Sequence, residues 1–93
     1  MKLDEGALKE LREAYGRIDS VWPEGVIEVL TKRNPDLLSE LNRLYSVLES
    51  LLIIPHWPAP IRKQWKQALA DYEKTAMQCV TYAKRHLQLS QCQ

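Results

Sequence analysis

The side chains able to ligate a metal or attack a substrate are few, and their spacing suits neither task. The soft donors are His56, Cys79, His86 and Cys92, whereas a metal site needs several such groups converging within about 2 to 2.5 Å of one point. Cys79 and His86 share a helix face but stand seven residues apart, about 10.5 Å along the axis. One ion cannot bridge that distance, so the sequence predicts neither a metal nor a cofactor. Cys79 reads as a small core side chain and His86 as a half-exposed polar one. The two cysteines make no disulfide framework and are expected as reduced thiols. Asp71 and Glu73 flank Tyr72 but project to different sides of a helix, so they cannot act as a carboxylate pair. Gly6, Gly16 and Gly25 match neither the phosphate loop nor the dinucleotide fingerprint, and no strand-to-helix elbow presents a nucleophile. No catalytic residue is assigned, and a non-catalytic protein is expected.

Two surfaces remain. Arg62, Lys63, Lys66, Lys74, Lys84 and Arg85 lie on an arc of about 140° of one helix, opposite or beside its apolar stripe. Such a face can meet phosphates or an acidic partner, although Glu73 interrupts it and the whole chain is nearly neutral at +1. Charge is unevenly spread along the chain. Residues 1–30 carry four basic and seven acidic side chains, the middle third three of each, and residues 61–93 six basic and two acidic. Oppositely charged helices lying side by side would account for this; the sharper reading keeps the basic face for a partner. The second surface is apolar. Val47, Ile53 and Ile54 fall outside the leucine stripe of their helix, and Trp57 follows directly. Either the connection folds back and Trp57 closes the end of the core, or these four residues form an exposed partner-binding patch.

The elements that position these residues all read at helical period. Leu3, Ala7, Leu8, Leu11, Ala14, Tyr15 and Ile18 share one arc of about 140°, which predicts a helix over about 4–18, weakened at Gly16. Asp19 and Ser20 supply capping oxygens, and Pro23 suits a first helical turn, so a second helix is placed at 23–33. Its run Val26 to Leu30 is rich in β-branched residues, but a strand there would have no mate. Asn34-Pro35-Asp36 opens a third helix over 36–54, with Leu37, Leu38, Leu41, Leu44, Tyr45, Leu48, Leu51 and Leu52 on its inner face. Three prolines at 55, 58 and 60 then predict a stiff extended connection over 55–60. A long helix follows over 61–88, its stripe running through Ile61, Trp65, Ala68, Leu69, Tyr72, Ala76, Cys79, Val80, Ala83 and Leu87. The tail from Ser90 is expected to fray.

Together these predict a single all-α domain, a three-helix bundle with a kinked N-terminal helical arm. A chain of 93 residues is long enough for one core and too short for two. Its longest apolar run, Leu51 to Pro55, is far below the roughly 20 residues of a membrane span, and the acidic start does not resemble a signal peptide. Membrane-surface docking is disfavoured because the apolar stripe is needed for the core. A cytoplasmic location is the default expectation. By length the last helix should overhang the third by about 14 Å, leaving apolar surface that a second copy would cover. The functional expectation is therefore a helical interaction or adaptor protein forming a homodimer. The alternative is a small DNA-associated regulatory protein using the basic face.

Overall fold

The computed structural model describes the backbone of residues 5–91 and the side chains of residues 5–87. Among these residues there are four helices and no strand: α1 (Glu5–Val21), α2 (Val26–Arg33), α3 (Pro35–Leu52) and α4 (Ala59–Gln91). The all-α expectation holds, and the β-branched run at Val26 is helical. No described helix is long and apolar enough to cross a membrane. Leu3, Asp4 and Cys92 lie outside the described residues.

Helix boundaries differ from the sequence reading in ways that local chemistry explains. Helix α1 runs through Gly16 and beyond Ile18 to Val21, because Ile18 is itself buried and holds the last turn against the core. Pro23 ends α1 rather than starting α2. The chain reverses at Gly25, whose φ of 88° is left-handed, and the Gly25 carbonyl accepts the first helical bond of α2 from the Val29 N–H at 3.0 Å. Helix α3 begins one residue earlier than expected, at Pro35, and the Asn34 side chain accepts from the Leu37 N–H at 3.3 Å. It stops at Leu52, short of Ile54. Helix α4 starts at Ala59 instead of Ile61, since Pro60 is tolerated in a first turn and the Pro58 carbonyl accepts from the Ile61 and Arg62 N–H groups at 2.9 and 3.2 Å. Its backbone stays helical through Gln91, past the predicted fraying point at Ser90.

Helix α4 is the hub, packing against all three others and most extensively against α3, while α2 also packs on α3. Its buried positions are mostly small: Ala68, Ala76, Cys79 and Ala83. Small side chains let neighbouring backbones approach, and the bulk is supplied from the other side. One cluster gathers Ile18, Val26, Leu30 and Leu41 on Ala76, Cys79 and Ala83. The other gathers Ala7, Leu11, Leu48 and Leu51 around Trp65 and Ala68. Later residues of α3 thus meet earlier residues of α4, so these two helices run antiparallel; the reverse order in α1 makes it parallel to α4. Tyr72 touches both clusters. The result is elongated, 54 × 23 × 20 Å, because α4 alone is about 50 Å long.

The α1 and α4 surfaces are tied by polar contacts. The Arg17 Nε donates to Glu73 Oε1 at 2.6 Å, and the Trp65 indole N–H donates to Glu10 Oε2 at 3.1 Å. The Arg17–Glu73 pair joins a base of the acidic third to an acid of the basic third, so it works against the charge gradient rather than through it.

Candidate interaction grooves

Helices α1 and α3 both lie on α4 without packing closely against each other, and three phenol rings fill the gap. Tyr15 and Tyr45 are 6.4 Å apart between ring centres and nearly parallel. Tyr72 stands 6.0 Å from Tyr15, edge to face, and 6.2 Å from Tyr45, both within the favoured range for aromatic pairs. Burial pushes the Tyr15 phenol well above its ordinary range, helped by a hydrogen bond with Tyr45 and by nearby Tyr72 and Glu49. Burial also raises Tyr72. Over these rings lies an open groove of about 450 Å³, whose lining continues through Trp22 and Ile27 and includes the Asp19 carboxylate. Ile27 is 51% exposed and Tyr45 41%.

A second groove, of about 740 Å³, lies where the start of α3 meets the distal half of α4. Leu37, Met77 and Tyr82 provide its apolar surface, Asn34, Gln78 and Thr81 its neutral polar groups, and Lys74 and Arg85 its charge. Tyr82 is anchored at the junction of α2 and α3, its hydroxyl donating to the Arg33 carbonyl at 3.4 Å, and its ring lies 4.4 Å from that of His86.

The residues singled out from the sequence are dispersed. Trp57 folds back: its indole N–H donates to the Leu51 carbonyl at 3.1 Å, and its ring lies 5.1 Å from Trp65 with the Arg62 guanidinium 6.0 Å above it. The same carbonyl also accepts from the Ile54 N–H at 3.1 Å, so the indole is a second donor to the last turn of α3. Val47 and Ile54 are half-buried against the same cluster. Ile53 alone of the four is exposed, at 64%. The six cations Arg62, Lys63, Lys66, Lys74, Lys84 and Arg85 are all exposed, but they serve different neighbourhoods. Arg62 and Lys66 border a small crevice with Glu10, Trp57 and Trp65, whereas Lys74 and Arg85 reach the large groove. Cys79 is fully buried and burial raises its thiol pKa. Among the described residues, no three His, Cys, Asp or Glu side chains come together as a metal-holding group.

The tyrosine seam was not singled out from the sequence. Its signal is faint: Tyr15 and Tyr45 each sit at the margin of their apolar arc, where an amphipathic ring with a polar tip is suited to a half-covered edge. Tyr45, assigned to the inner face of the third helix, is in fact one of its exposed large side chains. No protein-family model, curated protein or solved structure matches this chain.

Proposed function

We propose that this chain is a non-catalytic helical interaction protein that self-associates through the aromatic groove between α1 and α3. The observation that carries the reading is the coincidence of an open groove with exposed apolar side chains: Ile27 and Tyr45 stand on the lining shared by Tyr15, Trp22 and Tyr72. A surface of this kind is costly to leave in water and gains when a second apolar surface covers it. Two copies facing groove to groove about a two-fold axis would satisfy both at once, since such an interface is made of the same patch twice. The non-catalytic part rests on the direction of the perturbed groups. Cys79, Tyr15 and Tyr72 are all made less acidic by burial, opposite to the activation a nucleophile requires.

Sedimentation equilibrium of the full chain at micromolar concentrations tests this. The expected mass is twice 10.8 kDa, with a double Ile27→Ser, Tyr45→Ser change shifting it toward monomer and Ile53→Ser leaving it unchanged. A mass of 10.8 kDa throughout would remove self-association from the reading.

DNA association is the second reading, supported by the exposure of all six cations along about 35 Å of α4, close to one turn of duplex. It requires binding to mixed-sequence duplex that weakens steeply with salt and involves all six.

A further inference from the structure

We infer that the outer face of α4 beside the start of α3 docks an acidic amphipathic helix of a partner protein. This surface is separate from the aromatic groove, so the inference goes beyond self-association and does not depend on it. Lys74, Gln78, Thr81 and Arg85 follow one another at steps of four, three and four residues, the spacing by which one helix presents a seam to another laid alongside it. Lys74 and Arg85 are eleven residues apart, about 16.5 Å along the axis and within about 20° in direction. They mark the two ends of a three-turn footprint. Between and beside them, Met77, Tyr82 and Leu37 give the apolar surface that the buried stripe of a docked helix would meet.

The charge on this face is uncompensated. Lys74 and Arg85 make no ion pair among the described residues. The two acids of α4 are engaged elsewhere: Glu73 with Arg17 at 2.6 Å, and Asp71 with the Gln67 amide at 3.0 Å, on the side facing Arg43. No carboxylate among the described residues lines the groove. An occupant with carboxylates about three turns apart and apolar residues between them meets both cations and the apolar surface together; a basic helix would face two like charges.

The test uses the full chain and a designed, end-capped helix of about 18 residues, labelled for fluorescence anisotropy. It carries leucines at i, i+3, i+4 and i+7 flanked by two glutamates three turns apart. A second peptide has lysines in place of the glutamates. The glutamate peptide is expected to bind, and the lysine peptide to bind about tenfold more weakly or not at all. The double variant Lys74→Glu, Arg85→Glu changes only exposed side chains and should keep its far-UV circular dichroism. Its preference should invert, with the glutamate peptide weakened about tenfold and the lysine peptide gained. Equal binding of the two peptides, binding of neither, or a glutamate peptide indifferent to the double variant would overturn the inference. So would a mixed-sequence duplex that binds through all six cations while the peptide does not. The sedimentation result stands apart from each of these outcomes.

Discussion

Replacing Trp65 by alanine strikes the one large side chain on which the proximal half of the core is built. Trp65 is 2% exposed, packs with Ala7, Leu11, Leu48 and Leu51 in one cluster, and has the Trp57 ring 5.1 Å away. Its buried neighbour on α4 in that cluster is Ala68, too small to close the space an indole leaves, so the transfer and cavity terms both apply, about 3 to 5 kcal/mol together. The lost bond to Glu10 adds little, because that carboxylate is exposed and regains water. Trp65→Phe keeps most of the ring and should cost about 1 to 2 kcal/mol. Ile53→Ala, at a position 64% exposed, should stay within about 0.5 kcal/mol. Urea denaturation followed by circular dichroism measures all three, with unchanged slope certifying that the midpoint shifts report stability. A Trp65→Ala protein no less stable than the Ile53→Ala protein would refute the assigned facing of α4.

Stability should fall in alkali. Cys79, Tyr15 and Tyr72 all have pKa values raised in the folded state, so the unfolded chain releases these protons first. Their contribution is complete below the ordinary thiol and phenol range and is lost as pH climbs through about 8.5 and then 10 toward the folded values. Thermal melts at rising pH should show this limb, and Tyr15→Phe should flatten its upper part; a melting temperature constant through about pH 11 would contradict it. Gly25→Ala should cost about 1 to 2 kcal/mol by backbone strain alone, because φ there is 88° and nothing lies within 4 Å of the added Cβ. A neutral substitution in denaturant titration would argue against a left-handed turn between α1 and α2.

The periodic positions were legible in the sequence because burial and helical period are the same signal. Ala7, Leu11, Ala14 and Ile18 on α1, and Leu41, Leu44, Leu48 and Leu51 on α3, are all buried and all lie within the predicted arcs. What the pattern could not show was depth within a stripe. Leu69 and Tyr72 stand at the centre of α4 and are only half-buried, whereas Thr75, outside the stripe, is buried. Depth depends on where neighbouring helices lie, and that is a property of crossing geometry rather than of period. The proline connection was ambiguous for a similar reason: whether Trp57 turns inward is decided by a carbonyl six residues earlier, Leu51, a contact with no periodic signature.

The two grooves arise from one cause. Three helices lean on the small-residue side of α4, and α1 and α3 each pack on it without packing closely on one another. On one side this parts α1 from α3, and large aromatic rings partly fill the gap, because a phenol can cover apolar surface while keeping its hydroxyl wet. On the other, α2 and the start of α3 cover only the inner arc of α4, so the seam from Lys74 to Arg85 faces outward along a helix that continues to Gln91. Helices α1, α2 and α3 leave parts of both flanks of a helix about 50 Å long uncovered. The flanks differ in chemistry: aromatic with an acid at Asp19 on one, apolar with cations at Lys74 and Arg85 on the other. That difference is what lets self-association and acidic-helix docking be separated by mutation, because changes at Ile27 and Tyr45 leave the second seam untouched.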